Sequence, residues 1–174
     1  MSKQLLIYEQ AIPVSKTNHN DLYVKTGDDY GFAKNVNSIP ITAVEFAHAA
    51  LDYPIVFAGK DDEFASVAIM GVRENENLFI SKEGKVIGRY IPAFLRRYPF
   101  VFSSNDKGAN FTLCIDESFG GCNREGKGER LFDETVHRLC IQIVYWVFSK
   151  NTNLTLHGQK RFVKNLSNTI YLSQ

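Results

Sequence analysis

The stretch IVFAGKDDEFASVAIM, residues 55–70, decides the fold class because it contains two continuous apolar runs. The first run, residues 55–58, ends at Gly59, and the second, residues 67–70, ends before Gly71. Four-residue apolar runs bounded by glycine are typical of buried strands and are too short for ordinary helices. We therefore expect both segments to be strands at the centre of a sheet.

The segments on either side of this stretch predict further short strands. Two apolar runs near the N-terminus are separated by the polar stretch from Asn18 to Asp21. Further along the chain, Gly84 supplies the positive φ that a hairpin turn often needs. The predicted strands are residues 12–14, 22–24, 100–102 and 111–115, with a hairpin over residues 77–90.

Four helices are predicted, and the last of them lies near residues 158–166. Thr42 and Glu45 have capping-box spacing, and apolar residues follow at helical period until Pro54. Pro92 can occupy the first turn of a second short helix, residues 93–98, that ends before Pro99. The third helix, Val136–Phe148, is longer and apolar on all faces. One copy of the chain cannot cover every face of it, so this helix is a candidate surface for a homo-oligomer or a protein partner.

Together these elements predict a single α+β domain with a mixed, mostly antiparallel sheet, short helices and one longer apolar C-terminal helix. We expect residues 1–135 to form the core and residues 136–174 to form a helical tail that packs on the same domain. Four glycines lie between Ser118 and Arg130, and they predict a mobile loop between the sheet and the tail.

Composition excludes several classes of function. Apolar residues make up 44% of the chain, and 20 basic residues balance 19 acidic ones. The apolar fraction argues against disorder. The balance of charges gives no general electrostatic attraction to nucleic acid or anionic lipid. The longest apolar stretch, Leu139 to Phe148, is about half of the roughly 20 residues of a membrane span. Residues 1–10 contain no export signal, so we expect a cytoplasmic protein without a membrane span.

The three cysteines do not form a CxxC pair, which fits a reducing compartment. Cys114, Cys122, His137 and Cys140 could form a zinc set or supply a nucleophile and its base. Their spacing is not that of a zinc knuckle, and free cysteine is most often a small buried hydrophobe. We therefore predict no metal and no cofactor.

Two polar groups are candidates for chemistry or binding. Arg96 and Arg97 lie among aromatic residues, where a guanidinium group could hold a carboxylate, a phosphate or a sugar acid, or pair with Asp116 or Glu117. Glu45, His48 and Asp52 could share one helix face as an acid/base cluster. Capping already accounts for Glu45, so the structural interpretation of that cluster is favoured.

The stretch from Tyr90 to Phe100, YIPAFLRRYPF, resembles the bacterial SapC family. Matching segments in the same order are residues 32–33, 39–42, 45–46, 52–57, 77–79, 114–117 and 128–133. The family takes its name from a surface-layer gene locus, and the resemblance implies no established enzymatic activity or cofactor. A peptide-transporter permease shares the name, but it would need several long apolar helices. Family members usually continue beyond this length, so we expect a tail from Val136 that is divergent or shortened.

Two functions remain open. The first is a non-enzymatic accessory or interaction protein, linked by analogy to surface-layer or envelope biology. The second is a binding protein or enzyme for a small anionic or sugar ligand, with a polar pocket and an aromatic wall from Phe94. The pocket residues predicted for it are Arg96, Arg97, Tyr98, Asp116 and Glu45. Nucleic-acid binding through the acid-free tail is a weaker third function, because four positive charges over about 26 residues are a thin footprint.

Overall fold

The computed structural model describes residues 6–60, 63–104 and 111–132 of the 174-residue chain. Its elements are short, as the sequence predicts. The strands are β1 (Ala11–Pro13), β2 (Tyr23–Val24), β3 (Ser38–Pro40), β4 (Ile55–Lys60), β5 (Glu63–Ile69), β6 (Phe100–Ser103), β7 (Thr112–Asp116), β8 (Cys122–Asn123) and β9 (Glu129–Arg130). The α-helices are α1 (Lys16–His19), α2 (Phe46–Ala49) and α3 (Ala93–Arg96), and 3-10 turns span Gly31–Ala33 and Ala43–Glu45.

The described strands form three small antiparallel sheets, in the orders β1-β7-β6, β8-β2-β9 and β3-β5-β4. The antiparallel pairing and the short helices confirm those parts of the predicted fold class. The strands are divided among three sheets instead of forming one. The predicted helices over residues 136–148 and 158–166 lie outside the described residues.

The stretch at residues 55–70 forms an antiparallel hairpin in which Val56 lies opposite Val67 and Phe57 opposite Ser66. β5 is the central strand of its sheet, as predicted. β4 is an edge strand, so the prediction that it is buried at the sheet centre was wrong. β4 has only β5 beside it among the described strands, and Phe57 on its face is 70% exposed.

Two other sequence predictions need correction. The hairpin over residues 77–90 reduces to one antiparallel bridge between Ile80 and Val86, closed by a turn with Gly84 at a φ of 81°. The expected mobile loop contains β8 and β9, which both pair with β2. Gly128, at a φ of 97°, permits that pairing because a side chain there would collide with the Val24 carbonyl.

The short helical segments agree with the sequence. Thr42 and Glu45 form the predicted capping box at the start of the 3-10 turn that leads into α2. The Pro92 carbonyl accepts hydrogen bonds from the amides of Leu95 and Arg96, so α3 begins directly after the proline. α3 ends at Arg96, before Pro99 as predicted.

The chain divides into two compact units. The first takes in the described residues of 1–7 and 27–96, and the second those of 8–26 and 97–174. Each unit has its own buried apolar residues. In the first they include Ala33, Ile39, Ile41, Tyr53, Ala68 and Met70, and in the second Leu22, Val24, Phe100, Leu113, Ile115, Leu131 and Phe132. No helix of the described residues is long and apolar enough to cross a membrane. The predicted division at residue 135 stays a prediction.

Candidate functional site

The five predicted pocket residues fall into two groups. Glu45 and Arg96 belong to the first unit, whereas Arg97, Tyr98 and Asp116 belong to the second. Each group has its own set of partners, so each is described separately.

Glu45 is 3% exposed and its carboxylate accepts four hydrogen bonds. Oε2 accepts from the amide and the hydroxyl of Thr42, at 3.0 and 2.7 Å. Oε1 accepts from the Tyr90 hydroxyl at 2.9 Å and from the Ala93 amide at 2.7 Å. Burial favours a raised pKa for Glu45, but these hydrogen bonds outweigh it and hold the pKa below its ordinary value. Glu45 is therefore an ionised group whose hydrogen bonds connect the segment at Thr42 with Tyr90 and Ala93.

Tyr90 is the centre of the first group. The Arg96 guanidinium carbon lies 5.5 Å from the centre of the Tyr90 ring, and Arg96 Nη2 donates to the Tyr90 hydroxyl at 3.2 Å. The His48 ring stacks on the same tyrosine at 5.8 Å between ring centres. Burial and the hydrogen bond to Glu45 raise the pKa of Tyr90 to about 12. Tyr90 therefore stays protonated and links the arginine to the carboxylate.

The proposed acid/base cluster of Glu45, His48 and Asp52 holds one segment of backbone instead. Asp52 Oδ2 accepts from the amides of Arg89 and Tyr90, at 2.6 and 2.8 Å. All three side chains contact residues 89–93, and both carboxylates accept hydrogen bonds from that segment. This arrangement supports the structural interpretation that the sequence favoured.

Arg96 keeps donors that these contacts do not use. Its Nε is buried and has no hydrogen-bond partner among the described residues. The side chain as a whole is half-buried, and Arg96 is close enough to Tyr30 to lower the pKa of that tyrosine, which burial raises more strongly. Arg96 therefore has a guanidinium group with the capacity to bind an anion.

Asp116, in the second group, is fully buried and accepts hydrogen bonds on both oxygens. The amides of Glu9 and Gln10 donate to it at 2.7 and 3.2 Å. Ser118 donates from its amide at 3.1 Å and from its hydroxyl at 2.6 Å, and the Tyr98 hydroxyl lies at 3.5 Å. A carboxylate has about four acceptor sites, so donors of the same chain fill the acceptor sites of Asp116.

Arg97 and Tyr98 lie beside Tyr8. The rings of Tyr8 and Tyr98 are 5.3 Å apart, and the Tyr8 hydroxyl donates to the Phe100 carbonyl at 2.7 Å. Burial raises the pKa of Tyr8 to about 12, and the charge and side-chain hydrogen bond of Arg97 oppose that rise. Burial also raises the pKa of Tyr98 to about 12, with Asp116 adding to the effect. These are features of a packed, hydrogen-bonded core.

The described cysteines are not activated. Burial raises the pKa of Cys114, and burial with the charges of Glu117 and Asp116 raises the pKa of Cys122 to about 11. Such thiols are almost wholly protonated at neutral pH and are poor nucleophiles. Among residues 6–60, 63–104 and 111–132, no three His, Cys, Asp or Glu side chains are grouped as metal ligands. His137 and Cys140 lie outside that range.

Sequence reasoning gave no role to Tyr90 or to His19. The fully buried His19 accepts from the Ser15 amide through Nδ1 at 3.0 Å, and its Nε2 lies 3.3 Å from a Glu117 carboxylate oxygen. Tyr90 depends on partners that are distant in sequence, and His19 combines the local Ser15 with the distant Glu117. Only Tyr90 had a signal, because it begins the aromatic stretch on which the family resemblance rests.

Comparison with known proteins gives a family match. The family model described as SapC matches residues 14–173, which extends beyond the segments on which the resemblance was drawn. No curated protein and no solved structure matches the chain.

Proposed function

The chain belongs to the SapC family, and from that premise we propose that it is a non-enzymatic accessory protein that acts by self-association in surface-layer or envelope biology. The observation that carries the proposal is the exposed apolar edge of the hairpin formed by β4 and β5. The hydrogen-bonded carboxylates of two buried residues support the non-enzymatic part of the proposal. Because Glu45 and Asp116 are saturated by donors of their own chain, neither is available as a general acid or base.

The edge strand β4 has the properties of a self-pairing surface. Phe57 and Phe64 are 70% and 65% exposed, and the register places them on the same face of the hairpin. Proteins usually protect an exposed edge strand with charges or proline inside the strand. β4 has one charged residue, Lys60, at its end.

A second copy of the chain is the occupant that suits this edge. An antiparallel pair of β4 strands centred on Phe57 would place Phe57 opposite Phe57 of the other copy and Lys60 opposite its Pro54. The two lysines would therefore not face each other, and two three-stranded sheets would become one of six strands. Residues 136–148, predicted from their apolar faces as a contact surface, are a separate candidate.

Phe57→Lys is expected to weaken dimerisation at least tenfold. In a two-fold symmetric pair, position 57 of one copy lies close to position 57 of the other, so the substitution brings two like charges together at the new sheet junction. Sedimentation equilibrium over a range of protein concentrations measures the change.

Val72→Lys is the matched control, because Val72 is 82% exposed and lies outside the hairpin. It should leave dimerisation unchanged. A wild-type protein that stays monomeric at high concentration would contradict the proposal, and so would equal weakening by both substitutions.

A second candidate function is binding of a small anion at Arg96. The specific observation is the Nε donor, which has no partner among the described residues, of an Arg96 side chain that Tyr90 already fixes in place. A fixed guanidinium loses less side-chain entropy when it binds a carboxylate or phosphate.

Arg96→Lys is expected to weaken citrate or phosphate binding about tenfold, because an ammonium group cannot form the two parallel hydrogen bonds of a guanidinium fork. Isothermal titration calorimetry measures the affinity. Arg89→Lys is the control, since Arg89 is exposed and its contact to Asp52 uses the main-chain amide. Binding that survives Arg96→Lys unchanged would remove this candidate.

A further inference from the structure

A cleft in the first unit lies apart from all the groups described above. Its volume is about 520 Å³, within the range of small-molecule sites. It is lined by Lys34, Arg73, Glu74, Asn75, Glu76, Asn77, Ile80, Ser81 and Lys82. The lining therefore contains three cations, two carboxylates, three uncharged polar side chains and one apolar residue.

The chain fixes one wall of the cleft firmly. Gly71 packs so closely on the Glu76 carbonyl that any side chain there would collide with it. Asn75 adopts a φ of 59°, which asparagine tolerates better than most residues. The Asn77 side chain donates to the Ala33 carbonyl and accepts from the Phe79 amide, both at 2.9 Å. The turn that presents Glu76 is thus held by contacts on both sides.

Lys34 joins the two walls. Its Nζ donates to the Lys82 carbonyl at 2.7 Å, which leaves the Lys82 ammonium group unused by that contact. Arg73 is 82% exposed, and its Nη1 lies 4.0 Å from Glu76 Oε1. That distance is beyond hydrogen-bond range, so the Arg73 side chain can reorient and bind an anion with little loss of interaction free energy.

Glu76 contains an acceptor without a donor. Its Oε2 is buried and has no hydrogen-bond partner among the described residues. The side chain is 28% exposed, so the carboxylate borders the cleft, and rotation about its last bond exchanges the two oxygens. Buried carboxylate oxygens in folded proteins nearly always have donors. A positively charged donor on a ligand would supply the missing partner.

We propose that this cleft binds an amino sugar that carries a phosphate group. The ammonium group meets the Glu76 carboxylate, and the phosphate meets the Arg73 and Lys82 side chains at the rim. A hydroxyl-rich ring suits the remaining lining, because Asn75 and Ser81 are polar and only Ile80 is apolar. This site is independent of self-association through β4.

Three probes of matched shape separate the two charged contacts. Glucosamine 6-phosphate has both groups, glucose 6-phosphate lacks the ammonium group, and glucosamine lacks the phosphate. The wild-type chain is expected to bind glucosamine 6-phosphate at least tenfold more tightly than either of the others, measured by calorimetry at pH 7. Absence of binding by glucosamine 6-phosphate, or equal affinity for all three probes, would overturn the proposal.

Two substitutions locate the site. Glu76→Gln should abolish the preference for glucosamine 6-phosphate over glucose 6-phosphate, because it removes the charge that meets the ammonium group. Arg73→Ala should weaken the binding of both phosphorylated probes several-fold and leave the ratio of their two affinities unchanged. Because Arg73 is exposed, the substitution should not disturb folding. Glu129→Gln is the control, since it removes one charge from an exposed residue of the second unit, outside the lining, and should change nothing. A ratio unaltered by Glu76→Gln, or altered equally by Glu129→Gln, would refute the site.

Discussion

Replacing Asp116 with alanine is expected to lower the free energy of unfolding by about 4 kcal/mol or more, because several buried donors would lose their acceptor at about 1–3 kcal/mol each. The donors are the amides of Glu9, Gln10 and Ser118 and the Ser118 hydroxyl. Asp116 is fully buried, so water cannot easily replace the lost carboxylate. Urea unfolding followed by circular dichroism measures the loss.

Asp21→Ala is the matched control in the same unit. Asp21 is 64% exposed and pairs with Arg124 at 3.5 Å, and such surface pairs contribute about 0–1 kcal/mol. A loss for Asp116→Ala no greater than that for Asp21→Ala would show that the buried carboxylate does not hold the N-terminal segment in place.

Glu45→Gln is expected to lower the free energy of unfolding by about 2–3 kcal/mol at pH 7, because it removes the charge that strengthens four hydrogen bonds and turns an amide donor toward other donors. The loss should depend on pH in a defined direction. The folded-state pKa of Glu45 is lowered, so its contribution is present above the ordinary value of 4.5 and is lost as the pH falls through the folded-state pKa.

The difference between wild type and Glu45→Gln should therefore be constant from about pH 6 to 8 and shrink below pH 4.5. Chemical unfolding at a series of pH values gives this curve. Glu74→Gln, in an exposed position of the same unit, should show a small difference. A difference for Glu45→Gln that grows on acidification would contradict the proposed role of its hydrogen bonds.

Local patterns in the sequence predicted local structure well. The Thr42–Glu45 capping box depends on residues three positions apart, and the structure confirms it. The two apolar runs at residues 55–70 form the predicted strands because a strand is specified by its own residues and by the turn beside it. β4 was wrongly placed at the sheet centre, since an apolar run alone does not show how many neighbours a strand acquires.

Long-range partners could not be predicted from one sequence. Asp116 was singled out as a ligand residue, yet its donors at Glu9 and Gln10 are more than 100 positions away. Tyr90 joins Glu45 and Arg96, but no spacing pattern relates a tyrosine to a carboxylate 45 residues earlier. The charged cleft likewise combines Lys34 with a turn some 40 residues later, so its lining became evident only from the fold.

The pairing of β1 with β7 has a consequence for the order of events during synthesis. Ile12 pairs with Ile115, so the first strand leaves the ribosome about 100 residues before its partner, roughly 5–20 s at ordinary translation rates. Residues 27–96, the larger part of the first unit, are continuous and leave the ribosome within that interval. β1 therefore stays unpaired until residue 116 has emerged. We expect a chaperone to bind the nascent chain during that interval, because its apolar strand is exposed.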